Sequence, residues 1–327
     1  MKKITGNTQI KAIVNDPLLK MYHPAIFPMP ITKVRLFGLL KFQTFCRLFH
    51  YQGLDAIVDG LNRLNEVANL ENQMYSIYSD EEKSEDDSKK EVALIHFPSK
   101  KEEKKPFVLL CAGGGYQCVC SVAEAFPVAE RLNELGYPVF VLHYRTKKNA
   151  HFPNPIDDIA NAVRWIIERK EQFNIEVTGY SVGGFSAGGH MVACFGASTL
   201  GYASYGLPKP ATLFLSYPVI TMGEYSHKET RNSFLGEKKK DKAIQDKYSA
   251  EKQVDRNYPP VYIWTFANDD CVSSKNSVFL VDALDQNAIP YSYHTVEGTA
   301  HGVGLGEGTN AEVWLDEAVD FWERFLA

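Results

Sequence analysis

The chain has no excess of basic residues. Its 35 Lys and Arg are outnumbered by 40 Asp and Glu, giving a formal net charge of −5 over 327 residues. No basic stripe is available to neutralise phosphates, so a nucleic-acid partner is not expected. Long apolar runs are missing too. They are broken by Lys or Arg every few residues; Ile31 to Phe45, for instance, contains Lys33, Arg35 and Lys41. No segment supplies the roughly 20 apolar residues of a bilayer-spanning helix, so no membrane partner is expected. The N-terminus, Met1-Lys2-Lys3-Ile4-Thr5-Gly6-Asn7, begins basic but has no apolar core behind it. It does not read as a signal peptide, and a cytoplasmic location is expected. Cysteine is sparse, with six residues: Cys46, Cys111, Cys118, Cys120, Cys194 and Cys271. Cys118-Val119-Cys120 has no second pair at zinc-site spacing, so no structural metal is expected. Reduced thiols, several serving as small apolar residues, fit this pattern. Internal repeats are absent as well.

What is present is an ordinary globular balance, 45% apolar and 23% charged. Residues 1–70 form an N-terminal helical extension that is expected to pack on the main domain and is placed to cover a site there. Asp16-Pro17 suits the cap and first position of a short helix. Val34 to His50 has the apolar content of one mostly buried helix, and Leu54 to Leu70 carries apolar residues at helical spacing. The main domain, 71–327, opens with a strand from Met74 to Tyr78. An acidic, Ser-rich segment from Ser79 to Lys90 then reads as a solvated hairpin loop, and Val92 to Phe97 pairs back. Strand and helix alternate from Phe107 onward, which predicts an α/β class: a mostly parallel central sheet with helices on both faces. Functional residues of such sheets gather at the strand C-terminal ends. Residues 221–260 form a lid-like insertion between two strands, and its Lys238-Lys239-Lys240 run reads as solvated surface.

The chemistry is concentrated in Gly184-Phe185-Ser186-Ala187-Gly188. A short strand precedes it and a small-residue helix follows, which is the setting of a Gly-x-Ser-x-Gly elbow that lifts a nucleophilic serine above a sheet edge. A plain Gly-rich turn is the competing reading. A serine nucleophile needs a base, and the base needs an orienting carboxylate, in the chain order Ser, acid, His. Among the late histidines, His294 lies within a strand pattern. His301 lies in a loop just beyond that strand, flanked by Gly298 and Gly302, which makes it the candidate base. The acid falls after the strand Val261 to Phe266, at Asp269 or Asp270; Asp269 is preferred because Val272 begins the next turn. The oxyanion donors expected are the amide of Ala187 and those of the Gly113-Gly114-Gly115 run. A dinucleotide fingerprint at that run fails, because Cys118 stands where the third Gly would be. No cofactor is expected.

These motifs together resemble the α/β-hydrolase superfamily. The carriers are Ala112-Gly113-Gly114-Gly115-Tyr116, Gly136 to Leu142, Tyr144-Arg145, Gly184 to His190 and Ala300-His301-Gly302. They are most similar to the bacterial esterase branch with acetylxylan-esterase-like and feruloyl-esterase-like proteins, over roughly residues 71–327. Asn232-Ser233-Phe234-Leu235-Gly236 resembles a turn of that branch. The resemblance implies a serine carboxylesterase with Ser186 as nucleophile, Asp269 as acid and His301 as base. Gly114, Gly115 and Ala187 would be the oxyanion donors. It departs from the branch at Ala112, where many relatives have His, and at Ser273, where many have Pro. The partner implied is a small ester of the acetyl type, an acylated sugar among the candidates. Tyr116 is expected to line its pocket, together with Tyr225, Phe234 and Tyr248 of the insertion. An amidase or peptidase with the same triad, and a non-catalytic binding protein on this fold, stay open. So does assembly as a homo-oligomer.

Overall fold

The computed structural model describes residues 3–70 and 73–326. Eight strands share one sheet: β1 (Met74–Tyr75), β2 (Ala93–Phe97), β3 (Pro106–Cys111), β4 (Val139–His143), β5 (Glu176–Phe185), β6 (Thr212–Ser216), β7 (Val261–Phe266) and β8 (Tyr291–Val296). Their order is β1-β2-β4-β3-β5-β6-β7-β8. The first two pairings are antiparallel; every pairing from β4 to β8 is parallel. Positions 107–111 of β3, all of β6 and all of β7 are buried, as strands covered on both faces must be. The α/β class read from the sequence is the class observed. Parallel register sets the ends of β3, β5, β6, β7 and β8 along one edge, with Cys111 opposite Gly184, Phe185 opposite Ser216, and Phe266 opposite Val296.

The helices of the N-terminal part are α1 (Ile10–Val14), α2 (His23–Ile26), α3 (Ile31–Val34), α4 (Phe42–Leu48) and α5 (Leu54–Val67). The single helix expected from Val34 to His50 is not formed. Residues 9–11 take the intervening segment as a partner instead: Ile10 donates to the Leu40 carbonyl and Lys11 to that of Gly38. After α3 the chain takes one 3₁₀ turn, Arg35–Phe37, and a further turn, which leave Leu36 and Leu39 exposed. Asp16 does not open a helix either; its carboxylate caps a turn at the Leu18 amide, 2.9 Å away. α5 buries Ile57, Leu61 and Leu64, each worth about 1.5–3 kcal/mol of removed apolar surface. It packs on α7 (Ala125–Leu135). The approach is close enough that a side chain at Gly60 would run into the Phe126–Pro127 backbone.

The segment expected as a solvated loop after β1 instead forms α6 (Asp80–Glu85). Ser79 accepts from the Glu82 amide while Glu82 accepts from the Ser79 amide, a reciprocal cap legible as Ser-x-x-Glu. The remaining helices are α8 (Asn154–Glu168), α9 (Lys170–Phe173), α10 (Ser186–Gly196), α11 (Lys228–Leu235), α12 (Lys242–Lys247), α13 (Lys275–Gln286) and α14 (Trp314–Glu323). α11 and α12 make up the insertion between β6 and β7. Among the described residues no helix is long and apolar enough to cross a membrane.

Candidate active site

β5 runs directly into α10 through a bend at Ser186, whose φ of 51° lies in the left-handed region that a residue with a side chain rarely adopts. The surroundings hold it there. A side chain at Gly188 would collide with the carbonyls of Cys111 and Ala112, and one at Gly184 with the Gly188 backbone. Glycine at both positions therefore lets α10 press onto the ends of β3 and β5. Ser186 and Ala187 are the first two residues of α10. Amides at these positions have no acceptor within the helix, and they carry its positive end.

Three strand ends meet at this serine. His301, in the loop after β8, places Nε2 2.8 Å from Ser186 Oγ. Its Nδ1 stands 2.7 Å from Asp269 Oδ2, in the loop after β7. Asp269 Oδ1 accepts from the amides of Cys271 (2.9 Å) and Val272 (2.8 Å), so each oxygen of this fully buried carboxylate meets at least one donor. An acceptor-only carboxylate requires Nδ1 to carry the proton, which leaves Nε2 free to accept from the serine hydroxyl. Asp270 is exposed, and its amide donates to the Thr299 carbonyl.

The loop after β3 brings the glycines opposite. The amide of Gly113 is taken by Glu124 Oε2 at 2.5 Å. The carbonyls of Gly113 and Gly114 accept from Cys120, Gln117 and Cys118. The amides of Gly114 and Gly115 donate to no other described residue, which leaves them available to an incoming oxyanion. Tyr144 secures the base of the loop by donating to the Ala112 carbonyl at 2.6 Å.

Tyr116 does not line an open pocket. It is fully buried, stacked on Phe234, and hydrogen-bonded through its hydroxyl to His190 Nδ1 at 2.9 Å. His190 Nε2 lies 2.8 Å from the Tyr248 carbonyl, so Nε2 donates there and Nδ1 accepts from Tyr116. Burial holds the His190 pKa down at about 4. Phe234 and Tyr248 belong to the same buried cluster; they anchor the insertion to α10 instead of lining a pocket. Tyr225 stays partly exposed, beneath the Lys275 ammonium. The aromatic residues of the insertion were legible in the sequence, but composition alone does not tell aromatics that bind a ligand from aromatics that hold the insertion in place. An open surface depression of about 610 Å³ is lined by Gln117, Lys147, Lys228, Glu229 and Ser233 among others, with neither Ser186 nor His301 in its lining.

Two residues at the site were missed by the sequence reading. Glu124 is 3% exposed and Tyr217 fully buried. Glu124 Oε1 accepts from the Tyr217 hydroxyl at 3.1 Å, and that hydroxyl accepts from the Gly304 amide at 3.0 Å. The only signal for Glu124 was a carboxylate inside the apolar run Val122 to Val128. Burial raises its pKa, opposed by the Gly113 amide and by His301. Among the described residues no group of three or more His, Cys, Asp or Glu side chains could hold a metal ion.

Residues 94–203 match the model of the BD-FAE family. The chain is 32% identical over 221 residues to endo-1,4-beta-xylanase B of Butyrivibrio fibrisolvens, covering 64% of this chain and 34% of that protein. It is 29% identical over 198 residues to an acetylxylan esterase of Xylanibacter ruminicola, covering 59% of this chain and 40% of that protein. It therefore spans well under half the length of these two relatives. Among solved structures it is similar to an acetyl ester-xyloside bifunctional hydrolase from Caldicellulosiruptor lactoaceticus, with a TM-score of 0.65 and 26% identity over 72% of this chain and 89% of that one. A carboxylesterase from Lactobacillus plantarum superposes with a TM-score of 0.61 at 23% identity, over 72% of this chain and 94% of that one.

Proposed function

We propose that this chain, an α/β-hydrolase by fold, is a serine carboxylesterase that releases small acyl groups through an acyl-enzyme. The observation that carries the reading is the continuous contact from Asp269 through His301 to Ser186, facing the unengaged amides of Gly114 and Gly115. His301 Nε2 takes the Ser186 proton as Oγ attacks the ester carbonyl. The negative charge that develops on the carbonyl oxygen is met by the amides of Gly114, Gly115 and Ala187. Asp269 holds the imidazole in the required tautomer and stabilises the imidazolium. The imidazolium then protonates the leaving alcohol, and the acyl group remains on Ser186. A water deprotonated by His301 attacks the acyl carbon, and the acid leaves as Oγ recovers its proton. An acetylated carbohydrate is the preferred substrate, because relatives named for acetylxylan and acetyl-ester hydrolysis are among those the chain resembles.

The test is hydrolysis of p-nitrophenyl acetate and of acetylated xylo-oligosaccharides by the wild type and by Ser186→Ala, with a fluorophosphonate probe on both. Turnover and labelling that vanish together in the variant are expected. No turnover of any ester and no labelling of the wild type would sink the esterase reading. Equal activity in the variant would sink the assignment of Ser186.

A further inference from the structure

We infer that Glu124 is a positioning residue of this site: one buried carboxylate that clips the oxyanion loop in place and also serves as a second anion for His301. The inference rests on the esterase reading above for its kinetic consequences, but its geometry stands without it. Glu124 sits just before α7, and each of its oxygens is engaged from a different side. Oε2 takes the Gly113 amide, which belongs to the same loop as the donors Gly114 and Gly115. Oε1 takes the Tyr217 hydroxyl. That hydroxyl also accepts from Gly304 and donates its own proton to Glu124. Two donors aimed at two oxygens favour the ionised carboxylate and oppose the burial that raises its pKa.

The same contacts reach the histidine loop. A side chain at Gly302, next to His301, would lie 3.9 Å from Glu124 Oε1, and one at Gly304 would strike Ala123 and Glu124. Residues 302–304 thus rest on the start of α7. The carbonyl of Gly304 is held from the other side by Trp314 Nε1 at 3.0 Å. The Tyr217 ring meets the His301 ring edge to face, with centroids 4.8 Å apart. One carboxylate therefore joins the two loops whose spacing decides whether base, serine and oxyanion donors fit one tetrahedral centre. That is the kind of constraint in which an ångström of slack is costly.

The charge has its own role. Of the described groups that face Glu124, His301 is the one that gains positive charge in the reaction. The phenols of Tyr51, Tyr144 and Tyr217 and the thiols of Cys120 and Cys271 are pushed up by burial and hydrogen bonding. Cys118 is drawn down by its hydrogen bond with Cys120. Around His301 itself stand Asp269, Glu124 and His227, the last with its pKa lowered by burial. As His301 becomes an imidazolium it has Asp269 in contact and Glu124 close to the neighbouring Gly302.

Replacing Glu124 by Gln keeps the volume and removes the charge. The acid limb of kcat/KM, which reports the pKa of the base, should then move to lower pH by roughly half a unit or more, because an anion that favoured the protonated imidazole is gone. kcat should fall about tenfold or more with little change in KM, since the effect is confined to the transition state. A residue that merely filled space would lower activity without moving the limb, so an unmoved limb overturns the inference whether or not kcat falls. The His301 pKa read by NMR in Glu124→Gln gives the same answer without any turnover, which separates this inference from the choice of substrate. If that variant does not fold, the wild-type His301 ring resonances decide: a second inflection where Glu124 titrates supports the inference, and a single one refutes it.

Discussion

His301 makes its contact with Asp269 and not with the adjacent Asp270. The Asp269 carboxylate is buried and takes two backbone amides as well as the imidazole, whereas Asp270 is exposed. Asp269→Asn should turn the imidazole to the wrong tautomer and lower kcat about 10³–10⁴-fold, the scale of loss when a triad acid becomes an amide. Asp270→Asn should stay within a few-fold of the wild type. Steady-state kinetics on p-nitrophenyl acetate separates the two, and a reversed ranking would assign the acid to Asp270.

Gly114 and Gly115 both have positive φ, yet they differ in surroundings. A side chain at Gly114 would collide with the Cys118 carbonyl, while one at Gly115 would first meet Glu229 at 3.5 Å. Gly114→Ala should therefore distort the loop and cost about 10²–10³-fold in kcat, the value of a lost oxyanion donor. Gly115→Ala should carry mainly the backbone strain of a left-handed Ala, about 1–2 kcal/mol, and keep measurable activity. Equal losses in both variants would argue against the amide of Gly114 as the critical donor.

Much of this site could be read from the sequence because its parts are local. The elbow glycines, the glycine run after β3 and the loop after β8 each sit within a few residues of a strand end, and a parallel sheet brings strand ends together. The Glu124–Tyr217–Gly304 connection joins residues up to 180 positions apart in sequence, and no local pattern announces it. The misreadings have a similar cause. Tyr116, Phe234 and Tyr248 have the composition of a binding pocket, and only their mutual ring contacts reveal that they hold the insertion against the main domain. The Val34–His50 segment has helical apolar content, but its pairing with residues 9–11 overrides propensity.

The N-terminal part is tied to the histidine loop by a long-range cap. Glu307 Oε2 accepts from the Ala56 amide at 3.0 Å, in the first turn of α5. Glu307→Ala should cost about 0.5–2 kcal/mol, as other lost helix caps do, and lower kcat by loosening the loop that carries His301. Leu61→Ala, in the α5 face that packs on the main domain, should cost about 2–5 kcal/mol. Denaturant titration alongside kinetics checks both. A Leu61→Ala protein as stable as the wild type would show that the packing of this α5 face does not contribute to stability.

Acid should destabilise this protein partly through His190. Its ordinary value of 6.5 is lowered by burial to about 4. The unfolded chain then takes up a proton at a pH where the folded chain does not. Stability from the neutral imidazole is fully present above about 6.5 and is lost as pH falls from there toward 4, by roughly 3 kcal/mol at most. His96 and His143 are lowered in the same direction by burial, to about 3 and about 4, so the whole decline is not due to one residue. His190→Gln cannot titrate. The variant should be less stable at neutral pH, because the fit to Tyr116 and the Tyr248 carbonyl is disturbed. Its Tm should nevertheless fall less steeply between pH 6.5 and 4.5 than that of the wild type. Parallel Tm curves would mean that His190 takes up its proton without unfolding the aromatic cluster, and the acid sensitivity would then belong to other groups, His96 and His143 among them.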